Sequence, residues 1–108
     1  MLRVRWSKRT QADIRRIADY WLEHDPEVLP VAVRAIYQRV NWLADGNQQV
    51  GPPVTGLPRN YRVYRERRYG YKIYYRIEGT PTDLLAVLTI RHSRERPLSP
   101  STLRRLVE

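Results

Sequence analysis

The sequence contains no cysteine, which excludes disulfide bonds, thiolate metal sites and thiol catalysis. It has no run of about 18 apolar residues, so it offers no candidate for a membrane-spanning helix. The first residues, Met1 to Trp6, include no apolar signal segment. From these three absences we expect a cytoplasmic protein without a membrane partner.

Lysine is also scarce, because only Lys8 and Lys72 are lysines and the other 18 of the 20 basic residues are arginines. Arginine presents a planar fork of donors that suits phosphate and carboxylate groups, and it stacks on aromatic rings. The formal net charge is +9, with a sequence pI near 10.5. This charge indicates a polyanionic partner, either a nucleic acid or an acidic protein, and a solvated basic face is the plain alternative.

The length of 108 residues corresponds to one domain. Its basic character lies mainly in the second half: residues 51–108 carry 12 basic and 5 acidic side chains, against 8 and 6 in residues 1–50. We therefore expect the partner-binding surface to come mainly from the second half.

The first half predicts a strand followed by two helices. Alternation of Leu2, Val4 and Trp6 with arginines is typical of a short strand. Ser7 or Thr10 can cap a helix ending near His24, whose apolar face comprises Ile14, Ile17, Ala18, Trp21 and Leu22. After the Asp25-Pro26 turn, a second apolar stripe predicts a helix that ends before Gly46: Val33, Ile36, Tyr37, Val40, Leu43 and Ala44.

The second half predicts three strands after a glycine- and proline-rich loop at 46–60. The strands are Tyr61–Arg65, Tyr71–Ile77 and Leu84–Ile90. We assign residues 1–96 to one domain and 97–108 to a tail with a short helix near Ser101–Val107. Cofactor and metal sites are not expected, because no glycine-rich loop precedes a helix and no His, Asp or Glu set has metal-ligand spacing.

The β-α-α-β-β-β order predicts an α+β fold, in which a small antiparallel sheet packs on an N-terminal helical hairpin. We expect the helices to cover one sheet face and leave the other free. Tyr71, Ile73, Tyr75 and Ile77 should share one face of their strand, and Lys72, Tyr74 and Arg76 the other. Tyr74 on the free face is then placed to stack on a base or on a partner's arginines.

Three segments, in this order, resemble the ParE/RelE toxin family over about residues 3–96. The first is the helical pattern of Ser7, Asp13-Ile14, Ile17 and Tyr20. The second is the tyrosine-rich strand Tyr71–Ile77, and the third is the strand end Leu88–Arg94, in which His92 precedes a serine and an arginine. The resemblance implies a growth-inhibiting toxin of a type II toxin–antitoxin system, neutralised by a cognate antitoxin.

The target implied by the resemblance is either DNA gyrase, for ParE-like members, or mRNA on the ribosome, for RelE-like endonucleases. Metal-independent RNA cleavage needs a stabilised phosphate and a proton donor, so the candidate catalytic residues are Arg62, Arg76, Arg91 and His92. His92 has an alternative role as a strand-end side chain that bonds a backbone group. The resemblance implies that RelE-like enzymes rely on a lysine-and-arginine cluster and on a tyrosine near the C-terminus. Since no tyrosine follows Tyr75 and no lysine follows Lys72, ParE-like gyrase inhibition is favoured over enzymatic activity.

The antitoxin inference also has a physical basis. An arginine-rich face flanked by aromatic residues suits an acidic amphipathic segment that folds on binding. We expect this segment to pack on the helical hairpin and along the sheet edge. The residues predicted to contact the antitoxin or the target are Arg62, Arg65, Lys72, Tyr74, Arg76, Arg91 and Arg94.

Overall fold

A computed structural model of the chain describes residues 1–106. Its elements are β1 (Arg3–Trp6), α1 (Lys8–His24), α2 (Leu29–Ala44), β2 (Tyr61–Glu66), β3 (Tyr71–Glu78), β4 (Leu84–His92) and α3 (Pro100–Arg105). The predicted α+β class and the β-α-α-β-β-β order are confirmed. The short tail helix is present, although Val107, at the end of its predicted range, lies outside the described residues.

The four strands form one mixed sheet in the order β1-β4-β3-β2. The antiparallel pairing expected for β2, β3 and β4 is present, but β1 lies parallel to β4. Alternating residues specify which face of a strand is buried, whereas they do not specify the direction of its neighbour. The sequence of β1 therefore could not predict that this strand pairs with β4 in the parallel direction.

The inner face of the sheet packs against α1 and α2. Ile17 of α1 and Ile36, Val40 and Leu43 of α2 meet the predicted face of β3 in one buried cluster. That β3 face consists of Tyr71, Ile73, Tyr75 and Ile77, as expected from the alternation. Neither α1 nor α2 is long and apolar enough to cross a membrane, and the same holds for every helix within residues 1–106.

The outer face of the sheet is not free, and this prediction is wrong. Leu98, Leu103 and Leu106 of the tail pack over it, together with the 54–57 loop, in a second apolar cluster. Tyr74 lies in this cluster and is only 7% exposed. The reason is that α3 is amphipathic, so its leucines remove apolar surface from water by covering the sheet.

Side chains at the start of α1 complete the hydrogen bonding of β4 where β1 ends. The Thr10 hydroxyl donates to the Val87 carbonyl at 3.0 Å, and the Ser7 hydroxyl donates to the Leu88 carbonyl at 3.1 Å. One carboxylate oxygen of Asp13, Oδ2, accepts the backbone N–H of Ile90 at 3.0 Å and the Thr89 hydroxyl at 2.5 Å. The side chains of Ser7 and Asp13 thus hydrogen-bond the edge of β4 beyond the end of β1, where no neighbouring strand pairs with it.

Candidate functional site

Three cations lie side by side across the outer face, at one end of the sheet. In the strand register, Arg65 of β2 is opposite Lys72 of β3, and Lys72 is opposite Arg91 of β4. Directly opposed residues point to the same face of a sheet. We call Arg65, Lys72 and Arg91 the cation row.

Within residues 1–106, Arg91 is the one member of the cation row that is neutralised by an acidic side chain. The side chain of Arg91 is 17% exposed, lies 3.6 Å from a Glu95 carboxylate oxygen, and donates to the Arg96 carbonyl at 2.7 Å. Within residues 1–106, neither Arg65 nor Lys72 has an acidic partner. Like charges directly opposite each other destabilise a sheet, so the cation row is a place where an anionic group would relieve repulsion.

Tyr74 lies beside the cation row on the same outer face. Burial raises the pKa of its hydroxyl above 10.0, and the charges of Arg91 and Arg65 act in the opposite direction. The hydroxyl is therefore protonated at neutral pH. The expectation that Tyr74 stacks on a base or on a partner's arginine does not fit this burial, because the tail covers the ring.

His92 does not join the cation row. Strand β4 continues through His92, so Arg91 and His92 point to opposite faces of the sheet. On the inner side, the His92 ring lies edge-on to Tyr71 with centroids 5.6 Å apart, and its Nδ1 accepts the Arg94 backbone N–H at 3.1 Å. Arg91 and His92 are therefore not arranged to act together on one phosphate.

Arg62 and Arg76 are also separate from the cation row. Arg62 Nη1 donates to the carbonyls of Gln49 and Gly51, at 3.0 and 2.7 Å, and so holds the 48–51 loop. Arg76 pairs with Glu78 and donates to the Tyr61 hydroxyl at 3.0 Å. It lies four residues along β3 from Lys72, which at about 3.3 Å per residue is about 13 Å. These two arginines are already bonded within the chain.

Arg94 lies at the mouth of a groove that the sequence did not reveal. The groove has a volume of about 500 Å³ and runs between α1, the β2–β3 turn and the turn after β4. We call it the aromatic groove; its lining residues are Arg16, Ile17, Tyr20, Trp21, Tyr69, Tyr71, His92, Arg94 and Glu95. The aromatic side chains are visible in the sequence, but no spacing rule places a hairpin turn against the end of a helix.

Among the described residues, no cluster of three or more His, Asp or Glu side chains is arranged to hold a metal ion. The cation row, with the Tyr74 hydroxyl beside it, therefore suits the binding of an anionic group, and the aromatic groove is a separate surface that shares no residue with it.

Three buried tyrosines should make the fold sensitive to alkali. Burial is the main cause that raises the pKa of Tyr71, Tyr74 and Tyr75 above 10.0. The unfolded chain releases these protons near pH 10 while the folded chain retains them, so stability is complete below that pH and falls as pH rises toward the folded-state pKa values. We expect the free energy of unfolding, measured in urea, to fall from about pH 10 upward.

A Tyr74→Phe variant is the control for this pH dependence. It removes one of the three titrating groups, and the Tyr74 hydroxyl has no hydrogen-bond partner among the described residues. The slope of unfolding free energy against pH should therefore be shallower than in the unmodified chain. A free energy that stays constant from about pH 9 to about pH 11 would contradict the raised pKa values.

The chain is similar to toxins of type II toxin–antitoxin systems in both sequence and fold. Residues 4–97 match the family model described as ParE toxin of type II toxin–antitoxin system, parDE. No curated protein matches the chain. Among solved structures, the chromosomal ParDE toxin–antitoxin system from P. aeruginosa is similar at a TM-score of 0.71 and 22% identity, covering 85% of this chain and 96% of that one.

Two further structures are similar to the chain. The toxin–antitoxin complex RelBE2 from Mycobacterium tuberculosis gives a TM-score of 0.57 at 19% identity, covering 87% of this chain and 93% of that one. The isolated E. coli RelE toxin gives 0.63 at 10% identity, covering 99% and 100%. At these identities the solved structures establish only a common fold. Membership of the toxin family rests on the match of residues 4–97 to the family model.

Proposed function

Since the chain belongs to the family of ParE toxins of type II toxin–antitoxin systems, we propose that it arrests bacterial growth by inhibiting DNA gyrase. We further propose that it acts in the cytoplasm and that a cognate antitoxin neutralises it. The fold shared with ParDE and RelBE systems supports the antitoxin partner.

The separation of His92 from Arg91 is the observation that favours gyrase over mRNA as the target. A metal-independent endonuclease needs a proton donor beside the cations that hold the phosphate. His92, the histidine at the end of β4 that was the candidate proton donor, lies on the inner face, across the sheet from the cation row. The absence of lysines after Lys72 and of tyrosines after Tyr75 points the same way.

The endonuclease alternative has one observation in its favour. The cation row could hold a phosphate group, and the protonated Tyr74 hydroxyl lies close to Arg91 and Arg65. This arrangement would require the tail to uncover Tyr74, because Leu103 and its neighbours lie over that face. A plain nucleic-acid-binding module would account for the positive charge, but it does not account for the match to the toxin family.

Controlled expression of the chain in a bacterial host tests the proposal. We expect growth to stop with filamentous cells, because unresolved DNA topology blocks division, and co-expression of the antitoxin to restore growth. The purified chain should inhibit supercoiling by DNA gyrase in vitro and leave mRNA on translating ribosomes intact. An immediate halt of protein synthesis with cleaved mRNA would refute gyrase as the target.

The two lysines provide a matched pair of variants for the alternative. Lys72 lies in the cation row, whereas Lys8 is exposed at the start of α1. If the chain cleaves mRNA, Lys72→Ala should reduce cleavage by at least about tenfold, as expected for loss of a phosphate contact worth about 1.4 kcal/mol, and Lys8→Ala should not. Under the gyrase proposal there is no mRNA cleavage for either variant to reduce.

A further inference from the structure

The aromatic groove is a partly apolar surface that the chain leaves open. Its walls are Tyr20 and Trp21 on α1, and Tyr69 and Tyr71 at the β2–β3 turn. The Tyr20 side chain is 49% exposed although it is large and apolar. A volume of about 500 Å³ accommodates more than one partner side chain.

The walls of the groove are held in place before any partner arrives. The indole N–H of Trp21 donates to the Tyr71 hydroxyl at 2.9 Å, which joins α1 to β3. The Trp21 ring lies edge-on to Tyr69 with centroids 6.1 Å apart. Binding there would cost little side-chain ordering, and aromatic residues with arginine are the usual anchors of protein interfaces.

The mouth of the groove is cationic. Glu95 is the acid in its lining, and this carboxylate is already shared between Arg16 at 3.7 Å and Arg91 at 3.6 Å. Arg94 has no acidic partner among the described residues, nor has Arg68, whose guanidinium lies 5.3 Å from the centre of the Tyr69 ring. The uncompensated charge is positive, so the complementary occupant is acidic.

We propose that the aromatic groove is the anchoring site for an acidic amphipathic segment of the antitoxin. Apolar side chains one helical turn apart would pack in the groove against Tyr20 and the adjoining Trp21 ring. Neighbouring carboxylates would pair with Arg94 and Arg68. This inference rests on the proposed function, because it assigns the place on this chain where neutralisation occurs. It gives the groove a single occupant, a protein segment of stated chemistry.

The three tryptophans of the chain provide the measurement. Trp6, Trp21 and Trp42 give three indole N–H signals in a ¹H–¹⁵N spectrum, and a Trp21→Phe variant assigns the one from the groove. The probe is a synthetic helical peptide with leucines at positions i and i+4 and glutamates between them. We expect the Trp21 signal to shift saturably with this peptide, while the signals of Trp6 and Trp42 stay in place.

Two control peptides separate the apolar and the charged parts of the interaction. One replaces the leucines with alanine and the other replaces the glutamates with lysine, and neither should shift the Trp21 signal at the same concentration. The proposal is overturned if the leucine–glutamate peptide leaves Trp21 unmoved or if the lysine peptide shifts it equally. A single-stranded oligonucleotide that shifts Trp21 more strongly than the peptide would also overturn it, in favour of a nucleic-acid site.

Matched tyrosine variants connect the groove to neutralisation. Tyr20→Asp places a negative charge in the groove, whereas Tyr37→Asp alters a similarly exposed tyrosine on α2, where it packs on Trp6. We expect Tyr20→Asp to weaken peptide binding at least about tenfold, the effect of losing one interface anchor, and Tyr37→Asp to leave it unchanged.

Growth assays distinguish failure of this inference from failure of the proposed function. The Tyr20→Asp chain should arrest growth as the unmodified chain does, but antitoxin co-expression should no longer restore it. Full rescue of growth by the antitoxin would refute the groove as the anchor while leaving the toxin assignment intact. An unmodified chain that does not arrest growth would refute the proposed function, and the peptide titration would still decide what the groove binds.

Discussion

Replacing Asp13 with alanine should lower the free energy of unfolding by about 3 kcal/mol, because it leaves two buried donors without an acceptor. Asp13 is 5% exposed and accepts both the Ile90 N–H and the Thr89 hydroxyl. Its charge is balanced by Arg16, whose guanidinium lies 3.0 Å from the carboxylate and remains half exposed to water. Urea unfolding measures the change, which is a large part of the roughly 5–15 kcal/mol typical of a domain.

Asp19→Ala is the matched control for this prediction, because Asp19 is an exposed aspartate on the same helix. Its loss should change the unfolding free energy by less than about 0.5 kcal/mol. An Asp13→Asn variant keeps an oxygen acceptor and should fall between the two. Equal effects of Asp13→Ala and Asp19→Ala would mean that the contact between α1 and the β4 edge does not stabilise the fold.

The position of Asp13 explains part of the resemblance that the sequence shows to the toxin family. Ser7 and Asp13 belong to the first-helix pattern, yet both bond the open edge of β4 and neither faces the cation row. A pattern shared by proteins with different targets is expected to serve the fold they share. These residues therefore identify the fold and carry no information about gyrase or mRNA.

Sequence periodicity was sufficient to predict the helices and the buried face of β3. The helical spacing of Ile14 and Ile17 within α1, that of Ile36 and Val40 within α2, and the alternation along Tyr71–Ile77 are local properties, and each corresponds to one side of the inner cluster. The strand β4 was predicted to end at Ile90, two residues before its end at His92. Because side chains alternate between faces only within a strand, the shorter predicted strand gave no indication that Arg91 and His92 point to opposite faces of the sheet.

The features that sequence could not predict are those that depend on which elements meet. The cation row requires the register of three strands, and the aromatic groove requires the approach of a hairpin turn to α1. The cover over the outer face depends on where the tail folds back, which its leucines alone do not specify. Composition indicated a polyanionic partner, either a nucleic acid or an acidic protein, whereas only the assembled surface distinguishes arginines without an acidic partner from those bonded within the chain.

This distinction changes which arginines are candidates for partner binding. Arg62, Arg76 and Arg91 each donate to carbonyls or pair with acids of the chain itself. Arg65 and Arg94 are exposed and have no acidic partner within residues 1–106. A salt-sensitive complex with the antitoxin is therefore expected to depend on these two side chains more than on the first three.

Replacing Leu103 with alanine should cost about 2–5 kcal/mol of stability, the usual range for a buried leucine. Leu103 is 1% exposed and packs with Tyr61, Tyr74 and Leu88 on the outer face. The helix α3 has six residues, too few to persist without this packing. The loss should therefore detach the tail, expose Tyr74 and lower the pKa of its hydroxyl toward 10.0, since burial is the main cause that raises it.

Leu22→Ala supplies the matched control, because Leu22 is an exposed leucine on α1 and its replacement should change stability by less than about 0.5 kcal/mol. Urea unfolding compares the two variants, and limited proteolysis should cut the tail of the Leu103→Ala chain faster than that of the control. Equal stability and equal cleavage would contradict the packing of α3 on the sheet. In that case Tyr74, beside the cation row, would be open to a partner, and the endonuclease alternative would gain the access that it requires.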